Sequence, residues 1–124
     1  MVVHGKPVTV PEGIGVSVGP DGRPNGISSL HTHDASGIIH IEAPTAGQRY
    51  TLGQVLQEWG VLGGTGCIGP ECSSAAGKWN VYVNGKVKTW DVTGVVLGAR
   101  DQIALVYGEE PAFIQPKYAF PDGL

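Results

Sequence analysis

At 124 residues the chain has the length of one modest domain. Its net charge of −3, with Lys and Arg scattered, leaves no basic stripe for nucleic acid, and no apolar run reaches the roughly 18 residues of a membrane span. Twenty glycines and nine prolines beside a low charge content point to short strands joined by many turns.

The first predicted element is a hairpin over residues 1–10. Val2-Val3-His4-Gly5-Lys6-Pro7-Val8-Thr9-Val10 echoes Val81-Tyr82-Val83-Asn84-Gly85-Lys86-Val87-Lys88-Thr89, with His4-Gly5 in the place of Asn84-Gly85. Asn-Gly is the strongest short hairpin signal, because both central residues of that turn need positive φ. Histidine tolerates such a φ better than most residues, so a turn role accounts for His4 and removes it from any site. Met1-Val2-Val3-His4 enters this strand-like segment at once, without a signal-peptide pattern. The chain is therefore expected to be cytoplasmic or the mature part of an exported or anchored precursor. Residues 11–26 read as a Gly/Pro-rich connection.

A second hairpin is predicted at about 28–43. Three of the four histidines lie in Leu30-His31-Thr32-His33-Asp34-Ala35-Ser36-Gly37-Ile38-Ile39-His40-Ile41-Glu42. Strand residues two apart share a face, so His31 and His33 point the same way. With Asp34-Ala35-Ser36-Gly37 as the loop, His33 faces Ile38, His31 faces His40 and Ser29 faces Glu42. Leu30 then pairs with Ile41 and Thr32 with Ile39, giving one mostly apolar face and one histidine face. A loop one residue shorter would set Leu30 against Glu42 and mix the faces, which a half-buried hairpin resists.

Thr51-Leu52-Gly53-Gln54-Val55-Leu56-Gln57-Glu58-Trp59-Gly60 is the one clear helix. Thr51 and Gln54 form a capping box, Leu52, Val55, Leu56 and Trp59 repeat at helical spacing, and Gly60 suits the stop. A Gly-rich loop with both cysteines follows at 60–77. Strands are predicted at about 79–83, 86–91 and 102–107, the last containing the apolar run Ile103-Ala104-Leu105-Val106-Tyr107. Trp79, Trp90, Tyr82 and Tyr107 fall in these strands, where aromatics usually serve packing. The tail from Glu109 to Leu124 is Pro-punctuated and expected along the surface.

Hairpin, helix and further strands give an α+β fold, a β-grasp-like mixed sheet with one main helix and an additional N-terminal hairpin. The whole chain is read as one domain: 1–26 hairpin and connection, 27–108 core, 109–124 extended tail. The ending Leu97-Gly98-Ala99-Arg100-Asp101-Gln102-Ile103-Ala104-Leu105-Val106 resembles the final strand of ubiquitin-like β-grasp proteins. Leu30, Ile39 and Ile41 are expected to pack on the helix, leaving the histidines on the other face, open to solvent or partly covered by the N-terminal hairpin.

Cross-strand neighbours have Cβ atoms about 4.5–5.5 Å apart and diagonal ones about 7–8 Å, gaps that imidazoles bridge around a metal. His31, His33 and His40 are thus the candidate metal ligands, with Glu42 a fourth ligand or an orienting partner. Imidazole suits copper and zinc alike, so one transition metal ion is expected without deciding between them. Asp34 opens a turn where Asp is favoured for backbone bonding, and its role is read as structural. The His-x-His strand facing a third histidine resembles the ligand arrangement of α-carbonic anhydrases, and cupins also place His-x-His on a strand; nothing else matches either family. Pro7-Val8-Thr9-Val10-Pro11, the histidine run, Thr51-Leu52-Gly53-Gln54 and Val81-Tyr82-Val83-Asn84-Gly85 resemble uncharacterised bacterial proteins, often exported or membrane-anchored. That resemblance implies a place outside the cytoplasm and no particular activity.

Cys67-Ile68-Gly69-Pro70-Glu71-Cys72 closes a tight loop on a Gly-Pro turn. A structural disulfide suits an oxidising compartment. Two thiolate ligands without a nearby completing set, or a redox pair without the two-residue gap of thioredoxin-like motifs, are the other readings. The functional expectation is a metal-binding protein acting outside the cytoplasm. The alternatives are a small metalloenzyme (a His₃-zinc lyase or hydrolase, or a copper redox enzyme) and a β-grasp interaction domain whose histidines sense pH or do nothing.

Overall fold

The run Ile103–Tyr107 carries no charged side chain and belongs where both faces are covered. In the computed structural model, which describes residues 1–45, 47–63, 66–74, 77–88, 92–109, 111 and 114–121, it forms the middle strand of a five-stranded sheet. In chain order the elements are β1 (Val2–Val3), β2 (Lys6–Pro7), β3 (Val16–Val18), β4 (Pro24–Ile27), β5 (Leu30–His31), β6 (His40–Ile41), α1 (Leu52–Trp59), β7 (Cys67–Ile68), β8 (Glu71–Cys72), β9 (Trp79–Val83), β10 (Lys86–Lys88), a 3₁₀ turn at Val92–Gly94, and β11 (Ile103–Tyr107). The main sheet has the order β10-β9-β11-β1-β2, with β1 parallel to β11 and the other pairs antiparallel. β3-β4, β5-β6 and β7-β8 are separate two-stranded ribbons. The fold is α+β, a β-grasp-like mixed sheet around one helix.

The two hairpins, however, exchange the places their sequences suggested. The N-terminal hairpin lies inside the sheet, where Val2 and Val3 sit beside Val106 and Tyr107. Its turn residues have the expected positive φ, 48° at His4 and 76° at Gly5, matching 53° at Asn84 and 82° at Gly85. The His4 N–H extends the ladder to the Tyr107 carbonyl, and its ring packs edge-on against Tyr107. The histidine hairpin β5-β6 stands outside the sheet. Successive peptides of a strand point to opposite edges, and the outer edge of the histidine strand is already taken. Thr32 N–H donates to the Ile14 carbonyl at 3.1 Å and Gly13 N–H donates to Thr32 at 3.3 Å. The histidine strand therefore has no edge left for the main sheet.

The helix is set as its sequence dictates. Thr51 Oγ1 accepts from the Gln54 backbone N–H, Gln54 Oε1 accepts from the Thr51 N–H, and Gly60 closes the end at φ 82°. Leu52 and Leu56 enter a core with Ile68, Trp79, Val81, Leu105 and Tyr107. At this packing density Gly53 is needed: a Cβ there would lie 2.8 Å from the Thr93 carbonyl oxygen. Val55 joins a second cluster with Leu30 and Tyr50, and Ile39 packs against it. This contact seats the histidine hairpin on the helix. Ile41, expected in the same contact, is 40% exposed, because the helix lies over β5 and β6 is the outer strand.

The remaining predicted strands match at Trp79–Val83 and Ile103–Tyr107; the third runs over Lys86–Lys88, and residues 89–91, Trp90 among them, lie outside the described residues. Trp79, Tyr82 and Tyr107 are buried. Cys67 and Cys72 are joined by a disulfide and face one another across β7-β8, whose turn uses Gly69 at φ 59°. That hairpin hangs on the sheet through Trp79 Nε1 donating to the Glu71 carbonyl and Tyr107 Oη donating to the Cys72 carbonyl, both at 2.9 Å. No helix among the described residues is long and apolar enough to cross a membrane.

Candidate metal centre

The histidine hairpin adopts the register deduced from its apolar residues. Leu30 pairs with Ile41 and His31 with His40, and Glu42 N–H donates to the Ser29 carbonyl at 2.8 Å, extending the pairing by one residue. The ladder ends there. Thr32 does not pair with Ile39: its peptide turns to Gly13 and Ile14, and its hydroxyl accepts from Ile14 N–H and donates to the Pro11 carbonyl. Buried and bonded at every polar group, Thr32 pins the histidine strand to the connection before it. In the loop, Asp34 Oδ1 accepts from Ser36 N–H at 3.0 Å, the turn role expected of it. Hydrogen bonds from the Ser36 side chain and backbone hold the Asp34 carboxyl below its ordinary range.

All three predicted rings come together. Their centroids are 4.9 Å apart for His31 and His33, 4.1 Å for His33 and His40, and 5.6 Å for His31 and His40. His31 is the anchor: only 2% exposed, where the sequence suggested a face open to solvent or partly covered by the N-terminal hairpin. The rings of His33 and His40 cover it. Its Nδ1 lies 2.8 Å from the Ser28 carbonyl oxygen. A carbonyl only accepts, so Nδ1 carries the proton and Nε2 presents its lone pair to the cluster. This partner was not legible in the sequence, since every residue offers a carbonyl.

His31 Nε2 lies 3.0 Å from His33 Nε2 and 3.4 Å from Glu42 Oε1. One ligand atom from each of His31, His33 and Glu42 falls within 4.8 Å of the other two. Two ligands bound to zinc at about 2.0–2.1 Å with tetrahedral angles are about 3.4 Å apart, so the Glu42 separation from His31 Nε2 matches a coordination edge and the His33 separation is somewhat shorter. Glu42, expected from the sequence as a fourth ligand or an orienting partner, thus lies in one group with the two histidines. His40 ranks differently. Its ring stacks 9° from parallel to that of His31, and it is not among the residues whose ligand atoms converge. Burial, then the neighbouring His33 and His31, pushes the His40 pKa down, with Asp34 and Glu42 opposing. Neutral imidazole is the form that binds metal.

His4 lies at the turn between β1 and β2 against Tyr107, outside this group. Comparison with protein-family models, curated proteins and solved structures finds no match.

Proposed function

We propose that this protein is a metal-binding module that holds one transition metal ion, copper or zinc, on the β5-β6 hairpin, with His31, His33 and Glu42 as ligands and His40 completing the set after a turn of its ring. The observation that carries this reading is the convergence of three ligand atoms, one each from His31, His33 and Glu42, within 4.8 Å of one another. The Ser28 carbonyl takes the Nδ1 side of the His31 ring, so its Nε2 faces His33 Nε2 at 3.0 Å and Glu42 Oε1 at 3.4 Å. A cation at that point satisfies all three. The Ser28 contact is the type of outer hydrogen bond that orients metal-bound histidine.

Nitrogen and oxygen donors of this kind suit Cu(II) and Zn(II). The Cys67–Cys72 disulfide supports an oxidising location outside the cytoplasm. The exposure of the Glu42 side chain, 72%, and of His33 supports a second use of the same site. A coordination position reachable from solvent would let a zinc-bound water act in hydrolysis or hydration.

Titration of tag-free protein with Cu(II) and Zn(II) by calorimetry tests the binding reading. Saturation at one ion per chain is expected, lost when His31, His33 and His40 are all replaced by Ala and retained in His4→Ala. Unchanged binding in the triple variant would overturn it.

A further inference from the structure

We infer that Glu58, on helix α1, is a positioning residue for the histidine centre, acting through Ser28; this rests on the binding reading above. Four contacts of Ser28 bear on it. Its backbone N–H donates to the Gly15 carbonyl at 2.7 Å, and its carbonyl accepts from His31 Nδ1 at 2.8 Å. Its hydroxyl oxygen accepts from the Leu30 N–H at 3.3 Å while donating its one proton to Glu58 Oε1 at 2.9 Å. The hydroxyl therefore has two tasks, and the acceptor on the helix decides whether both are met. With its proton committed to Glu58, the oxygen keeps a lone pair aimed at Leu30 N–H and closes the short turn Ser28–Leu30. That turn sets the direction of the Ser28 carbonyl, which sets the tautomer and tilt of His31.

Elsewhere around this turn the helix and the hairpin stand apart. A cleft of about 450 Å³ separates them, lined by Ser28, Ser29, Tyr50, Gln54, Gln57 and Glu58. The hydrogen bond from Ser28 to Glu58 is a polar tie between its walls. The apolar contact of Leu30 with Val55 fixes the spacing of the two elements but not the rotation of the Ser28 peptide. Glu58 is otherwise an exposed helix residue, so its replacement leaves the core intact.

The test compares Glu58→Ala, Glu58→Gln and wild type in the metal-free and metal-titrated states. Gln keeps an oxygen that accepts from Ser28; Ala does not. In metal-free protein, nitrogen-15 NMR of the imidazoles should show His31 as the Nδ1–H tautomer in wild type and Glu58→Gln. In Glu58→Ala a share of the other tautomer and faster exchange of the Nδ1 proton are expected. Zn(II) affinity should fall by about 3- to 10-fold in Glu58→Ala, below the 10–100-fold usual for a partner in direct contact with the ligand, and recover in Glu58→Gln. An Nδ1 proton equally populated and protected in Glu58→Ala would overturn the inference, as would equal loss of affinity in both variants. Failure of wild type to bind Zn(II) would instead overturn the metal-binding reading, and the tautomer comparison would still decide the role of Glu58.

Discussion

Replacing Gly15 by Ala should damage the histidine centre more than any comparable change in the hairpin loop, although Gly15 touches no histidine. A Cβ built at Gly15 would lie 2.1 Å from the Leu30 carbonyl oxygen and 3.2 Å from both the Leu30 carbonyl carbon and Ser28 Cβ. Cβ contacts under 3.0 Å are essentially unknown, so the Leu30 peptide must retreat by about 1 Å. That movement pulls on the Ser28 N–H bond to Gly15 and the Thr32 N–H bond to Ile14, each worth about 1 kcal/mol. Holding Ala at φ 73° adds about 1–2 kcal/mol, for a total of about 3–4 kcal/mol. Gly37 is the control, with φ 87° and nothing within 4 Å of a built Cβ, so Gly37→Ala should cost only about 1–2 kcal/mol. At about 3–5 °C per kcal/mol for a domain of this size, thermal unfolding should show Gly15→Ala lowered by about 10 °C or more. Gly37→Ala should be lowered by about half as much, about 3–10 °C. Because the retreating peptide joins Leu30 to His31, Gly15→Ala should also weaken Zn(II) binding while Gly37→Ala leaves it nearly intact. Equal melting temperatures for the two variants would refute the reasoning.

The stability of metal-free protein should fall as pH drops below about 6.5, the ordinary histidine value. His40 is held below that value by burial and by His33 and His31, so the unfolded chain takes the proton first, and the loss continues until folded His40 also titrates. Urea midpoints between pH 7.5 and 5 measure this; a pH dependence identical in His40→Asn would show that the loss arises elsewhere. Replacing both Cys67 and Cys72 by Ser should cost about 2 kcal/mol, the chain-entropy value for so short a loop. The β7-β8 ribbon should keep its place through the Trp79 and Tyr107 bonds, so that near-ultraviolet dichroism from these aromatics changes little; a collapsed aromatic signal would contradict that anchoring.

What the sequence made legible was local. The alternation of Leu30, Ile39 and Ile41 with the histidines sufficed for the register, because a one-residue slip would have mixed the two faces. Thr51, Gln54 and Gly60 marked the helix, and His4-Gly5 and Asn84-Gly85 their turns, since each signal lies within a few residues of the structure it specifies. Partners far along the chain left no such mark. Val2 and Val3 lie beside Val106 and Tyr107 through backbone bonds that any residue can make, and nothing in those valines announces a parallel neighbour a hundred positions away. The same holds for Thr32, whose β-branched side chain fitted a pairing with Ile39 but whose peptide points to Gly13 and Ile14. The site was found as a set of three histidines; its inner order, with His31 buried, Glu42 beside it and His40 stacked, depends on ring rotation that spacing leaves open.

The central claim is that imidazole nitrogens of the β5-β6 hairpin bind a metal ion. X-ray absorption at the zinc edge of tag-free protein, loaded with one equivalent of Zn(II) and desalted, tests it most directly. The expected spectrum has nitrogen and oxygen neighbours at about 2.0–2.1 Å, with the outer-shell scattering of at least two imidazole rings. Loss of zinc on desalting, or an oxygen-only shell without imidazole scattering, would contradict the account.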